Sequence, residues 1–189
     1  MEMKAFRTHF GRVILASLCI VLSGEAQAEQ IDRVVAIVGD RVITASDVAL
    51  EETLASRLPC PEVVLCDERT PAADRLIHFA VLRSLAGDAQ AYTPTNNDVE
   101  RALGLLRRSW SDVRGYQAFL ERWGLSERDI AGLVYSRLVC HRYLRRNLAL
   151  SLRGEDADPV VYAQRYAIWI ASRKNMVQVR TLESIGVTP

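Results

Sequence analysis

The first regular pattern in the chain is Ile31–Val38 (IDRVVAIV), a short run rich in β-branched residues that predicts a strand. Gly39-Asp40 follows as a two-residue turn with Gly in its first central place, which suits a type II′ hairpin. Residues 41–44 are the return strand. Two strands alone are marginal in water, so a third is required. Residues 177–182 (VQVRTL) alternate, with Val177, Val179 and Thr181 on one face, and are the expected partner. Pairing would join the beginning and end of the folded chain in one small antiparallel sheet.

Everything between reads as helix, at about 46–58, 72–92, 97–110, 112–123, 126–152 and 159–174. Ser46 is the expected cap of the first, which Pro59, Cys60 and Pro61 break. In the second, Leu76, Ile77, Phe79, Ala80, Val81, Leu82, Leu85 and Ala86 cover most of the circumference, marking a central buried helix. Gly87 would sit inside its last turns at a cost of roughly 1 kcal/mol against Ala, and Pro94 stops it. Asn97, with Glu100 three places on, is the expected start of the third. Gly124 is placed for the left-handed residue that ends the fourth, and Ser126 caps the fifth. The fifth carries a stripe of Ile130, Leu133, Val134, Leu138, Cys140, Leu144 and Leu148. Arg137 and His141 fall inside that stripe and are expected as paired or snorkelling side chains. Pro159 starts the last helix. Its Ile168-Trp169-Ile170 is bulky enough that the helix must pack on the others or on another chain. The expected fold class is therefore mainly α, with a small antiparallel sheet made of an N-terminal hairpin and a C-terminal strand.

Ahead of this pattern, residues 1–28 read as a secretory signal peptide. Lys4, Arg7 and Arg12 form a basic start, Val13–Leu22 a run of about ten mostly apolar residues, and Ala26-Gln27-Ala28 a cleavage site. Residues 29–189 are then one exported domain, expected in the periplasm. The run is too short to span a bilayer comfortably, so no stable membrane insertion is expected after cleavage. Cleavage takes three residues from the 24 Lys+Arg and two from the 23 Asp+Glu, so the formal charge falls from +1 to zero. That balance argues against a nucleic-acid partner held by net charge.

Candidate chemistry is sparse. The sequence has no glycine-rich phosphate loop and no G-x-S-x-G elbow. His78 and His141 are read as satisfied structural histidines, and Cys140 as a buried thiol. Cys140 and His141 are neighbours on one helix and point about 100° apart, which does not make a dyad. Glu51-Glu52 and Asp156–Asp158 are read as solvated carboxylates, and Arg142, Arg145 and Arg146 as a solvated basic face. No catalytic residue, cofactor or metal site is expected. Cys60 and Cys66 flank a Pro-marked loop, and export would let a disulfide between them persist. Trp110, Tyr116, Phe119, Trp123 and Trp169 are the aromatics placed to line a groove for apolar peptide segments, since such rings offer large contact area at low rotamer entropy.

Four motifs in order carry a resemblance. Val38-Gly39-Asp40-Arg41-Val42-Ile43-Thr44-Ala45-Ser46-Asp47-Val48 resembles the opening signature of the SurA N-terminal domain family. Leu76-Ile77 and Leu82 sit where that family has a buried Leu-Ile-rich helix. Thr93-Pro94-Thr95 through Val99-Glu100 is similar to its Pro-Thr helix start. Phe119-Leu120 through Gly124-Leu125-Ser126-Glu127-Arg128-Asp129 is similar to its Gly-Leu-Ser turn. The resemblance spans about Ile31 to Leu152. It implies a helical, ATP-independent periplasmic chaperone of unfolded secreted and outer-membrane proteins, with no catalytic residue to carry over. Some members add a parvulin-type prolyl isomerase domain. The Gly-Gly-x-Leu-Gly-type stretch of that domain does not occur in this chain, so isomerase activity is not expected. The other reading is a structural or adaptor protein that docks a dedicated envelope partner, or itself, through the C-terminal Trp169 helix.

Overall fold

The computed structural model describes residues 32–149 and 158–182. The signal-peptide reading of residues 1–28 lies outside them, as does the expected end of the fifth helix at 152. Strand β1 (Val34–Val38) runs antiparallel to β2 (Arg41–Thr44) on one side and to β3 (Val179–Thr181) on the other, giving the order β2-β1-β3. Ala36, Ile37 and Val38 pair with Thr181, Arg180 and Val179. The expected meeting of early and late segments is thus present. Gly39 takes φ +61 in the two-residue turn, a region that costs a side-chain-bearing residue energy. Its N–H donates to Gln178 O at 2.8 Å, so the turn and the approach to β3 are tied together. Strand β2 has its expected range, and the other two are shorter than expected. β1 begins at Val34 and carries a bulge-like register shift between Val34 and Ala36, and β3 is confined to three residues between Val177 and Leu182.

Six α-helices follow among the described residues: α1 (Ala45–Ala55), α2 (Ala72–Ala86), α3 (Asn96–Arg108), α4 (Val113–Trp123), α5 (Glu127–Ala149) and α6 (Pro159–Lys174). Three of the six starts are fixed by one repeated device. Thr44, Thr95 and Ser126 each accept from the N–H of an Asp three residues on, and that Asp accepts from the capping residue's own N–H. The cap of α1 is therefore Thr44 and not Ser46. Thr44 is extended (φ −107, ψ 169), so one residue ends the strand and caps the helix with no loop between. The Ser46 N–H is held by Asp32 instead. Likewise α3 is boxed by Thr95 and Asp98, two residues ahead of the expected Asn97 and Glu100. Asp112 caps α4 through the Gly115 N–H, and Asp158 caps α6 with Pro159 in its first turn.

Helix ends were harder to place. Helix α1 stops at Ala55 rather than 58. Helix α2 stops at Ala86 rather than 92, because Gly87 leaves the helical region altogether (φ +53, ψ −142) and acts as terminator rather than a weak interior residue. Residues 90–92 make a separate single 3₁₀ turn. Helix α4 ends as expected at Gly124 in the left-handed region. The Leu125 N–H donates to Leu120 O and the Gly124 N–H to Glu121 O, the paired bonds of a Schellman motif.

Two apolar clusters hold these elements. The first joins the sheet (Ala36, Val38, Ile43) to α2, to the later half of α5 (Cys140, Leu144, Leu148) and to α6 (Tyr166, Ile170). The second joins Leu54 and Leu58 to α3, α4 and the earlier half of α5 (Ile130, Val134). Helix α5 belongs to both and is the spine of the fold. Burying each large aliphatic side chain contributes about 1.5–3 kcal/mol, which is why the spine is the most continuous stripe in the sequence. No helix among the described residues is long and apolar enough to cross a membrane.

Candidate functional site

Where α1, α2 and α5 meet, Glu51 lies in the interior, only 2% exposed. One of its carboxylate oxygens accepts from Arg75 Nε at 3.1 Å and the other from Arg137 Nη2. Arg75 also donates to Thr70 O at 2.6 Å. Arg137 lays its guanidinium over the Phe79 ring, 4.5 Å from the centroid. Burial pushes Arg137 below its ordinary pKa while Glu51 pulls the other way. The guanidinium still keeps its charge. Two cations therefore share one anion, and the buried triad carries a net positive charge.

The sequence reading of Glu51 as a solvated carboxylate is corrected by this geometry. Glu51 precedes Leu54 by three positions on α1, so the two share a helix face and Glu51 points inward with it. Arg137, inside the apolar stripe of α5, was the visible half of the pair.

Glu51 and Arg137 of the triad also line a cleft of about 280 Å3. Leu50 and Leu54 of α1, Leu76 and Phe79 of α2, and Leu133 of α5 give it apolar walls. Arg41, Asp47 and Ser136 add polar groups beside Glu51 and Arg137. Gly132 also lines it, and a Cβ built there meets nothing within 4 Å. The cleft thus presents apolar surface with a few fixed polar groups, the usual make-up of a site for an organic ligand or side chain.

The five aromatics of the sequence reading do not share one groove. Tyr116 and Phe119 are buried in the second cluster, where Phe119 lies 4.8 Å from the half-buried Trp110. The Arg57 guanidinium lies over the Trp110 ring, 3.9 Å from its centroid. Trp123 packs at the edge of the same cluster. Trp169 belongs to the first cluster, against Tyr143 at 6.3 Å and beneath Arg173. None of the five lines the cleft. Their spacing identified core, and the cleft is made of aliphatic side chains and Phe79.

A second constellation joins the loop after α1 to α5. A disulfide links Cys60 and Cys66, with Cα atoms 6.2 Å apart. His141 is the third member; its ligand atom and the two sulfurs lie within 4.8 Å of one another. Burial, with Arg137 nearby, lowers the His141 pKa to about 4. Sequence reasoning did not bring His141 to the loop, because nothing local couples positions 60 and 141. Cys140, one residue earlier, donates to the Phe79 carbonyl at 3.4 Å instead, and burial pushes its thiol up to about 12. His78 is satisfied by the Tyr166 hydroxyl at 2.9 Å. Of the basic trio, Arg145 and Arg146 are exposed, whereas Arg142 bonds Asp98 at 2.7 Å and the Thr93 carbonyl, fastening α5 to the start of α3.

No protein-family model matches this chain, and no curated protein matches it.

Proposed function

We propose that this protein is a periplasmic, ATP-independent chaperone that holds unfolded or partly folded secreted and outer-membrane proteins. The observation that carries the reading is the largely apolar cleft between α1, α2 and α5, with fixed charges in its lining. Such a site takes apolar side chains of an extended segment by burial, at about 25 cal/mol per Å2 of apolar area, less the cost of ordering the client. Weak, rapidly exchanging contacts at several positions along a client follow from that balance.

The sequence supports the same reading. The leader predicts export. The four SurA-like motifs fall on the hairpin with its Thr44 cap, the buried α2, the Thr95–Asp98 box and the Gly124–Ser126 turn. The test is aggregation of a urea-unfolded outer-membrane protein diluted into buffer with the chain in several-fold excess. Slowed aggregation without nucleotide supports the chaperone reading, and unchanged aggregation removes it.

The adaptor reading rests on α6, where Val160 and Ile168 are 62% and 72% exposed, with Met176 just beyond at 63%. A dedicated partner or a second copy would cover these side chains. One tight stoichiometric complex with no affinity for unfolded chains would favour that reading over the first.

A further inference from the structure

The Cys60–Cys66 bridge is half-buried, and His141 approaches it from α5 with Nε2 4.0 Å from Cys60 Sγ. The other ring nitrogen is already engaged. His141 Nδ1 accepts from the backbone N–H of Glu62, inside the bridged loop, at 3.3 Å. A nitrogen that accepts carries no proton, so the neutral ring holds its proton on Nε2, facing sulfur. Burial keeps the ring neutral at ordinary pH. This tautomer disfavours a metal in the Cys60, Cys66 and His141 cluster. Nε2 would have to shed its proton while Nδ1 faces a donor and cannot take one. It suits a sulfur that becomes negative.

We propose that Cys60–Cys66 is a thiol-exchange site, where Cys66 Sγ takes an attacking thiolate and Cys60 leaves toward the Nε2–H of His141. The co-reactant is a thiol, either a small one or the cysteine of another protein. Its thiolate forms a bond to Cys66 Sγ as the Cys60–Cys66 bond breaks. The electron pair of the broken bond stays on Cys60 Sγ, where the Nε2–H at 4.0 Å favours it against the Glu62 carbonyl oxygen at 3.1 Å. A second thiolate then attacks the mixed disulfide, releases Cys66 as thiolate and leaves as the oxidised disulfide. The bridge gains two electrons, two thiols lose them, and both cysteines take their protons from water. A leaving sulfur with a lowered pKa departs faster, which is what the histidine supplies. Cys140 takes no part, being buried and held far from its thiolate form. The state of the bridge is felt beyond the loop, because the Glu62 carboxylate accepts from the Tyr162 hydroxyl of α6 at 2.8 Å. Cys60, Cys66 and His141 do not line the cleft, and the proposal does not rest on what the cleft binds.

Two measurements on the full chain with Cys19→Ser, which leaves Cys60, Cys66 and Cys140 as its cysteines, test it. In a Cys66→Ser variant, Cys60 is the thiol that titrates, and its ultraviolet thiolate absorbance should have a midpoint at least one unit below the ordinary value of about 8.5. Cys140 stays silent in that range. In the otherwise unaltered chain, reduction by dithiothreitol, read as alkylated mass against time, should slow about tenfold in His141→Leu and recover in His141→Gln, whose amide N–H replaces the donor. A Cys60 midpoint at or above about 8.5 overturns the proposal. So does an equal reduction rate in folded His141→Leu. If His141→Leu does not fold, the Cys60 midpoint decides alone.

Discussion

Glu51 of α1 and Arg137 of α5, 86 positions apart in the chain, are hydrogen-bonded in the interior, and Arg75 of α2 completes the pair from a third helix. One carboxylate thereby fixes the relative placement of the three helices that make the cleft. Removing it leaves two buried guanidinium groups without their anion. Glu51→Ala is expected to cost about 3–5 kcal/mol in urea unfolding, because an uncompensated buried charge is far more expensive than a missing pair. A cost below about 1 kcal/mol would mean that the arginines find water or another acceptor at once.

Gly132 offers a way to fill the cleft without disturbing its walls. A side chain placed there meets open space, so Gly132→Leu should fold normally. It should even gain a few tenths of a kcal/mol up to about 1 from better helix propensity. Suppression of client aggregation should drop sharply in the same variant. Unaltered suppression by a stable Gly132→Leu protein would move the client site elsewhere on the surface.

His141 makes acid stability a measurable property. Its folded pKa of about 4 lies below the unfolded value of about 6.5, so the folded form binds fewer protons. Stability from this group is whole above pH 6.5 and is lost as pH falls from there through about 4. The integrated loss is on the order of 3 kcal/mol. Unfolding midpoints in urea between pH 7 and 4 should therefore fall less in His141→Gln than in the parent. Parallel curves for the two proteins would show that His141 titrates alike in the folded and unfolded chains.

Closing the short Cys60–Cys66 loop should contribute ~2 kcal/mol through the unfolded chain, so a Cys60→Ser, Cys66→Ser double variant should unfold at correspondingly lower urea. Helical circular dichroism should be unchanged, since the bridged segment lies between helices. An unchanged urea midpoint would mean that the packing of Leu65 and Glu62 already orders the loop.

The sheet and the helix order were legible in the sequence because they rest on local signals. β-branched runs, a Gly in a turn, and the Gly124–Ser126 stop and start each act within a few residues. Cap positions slipped where two elements share a residue, as at Thr44, which serves β2 and α1 together. Gly87 misled because a glycine that ends a helix and one that weakens it look alike until its φ is known. The cleft and its triad were illegible for a different reason. Glu51 beside Glu52 resembles any solvated pair until Arg75 and Arg137 are brought to it from 24 and 86 residues away. The aromatic residues drew attention by size, yet large rings at helical spacing mostly fill the interior, as Tyr116 and Phe119 do.

The order β2-β1-β3 has a consequence for biogenesis. A polypeptide delivered from its N-terminus can close the β1–β2 hairpin early, but one edge of β1 must wait until Thr181 has emerged some 140 positions later. Until then that edge lies open to pairing with any passing strand. A protein we read as a guardian of unfinished chains is itself, for most of its own birth, one of them.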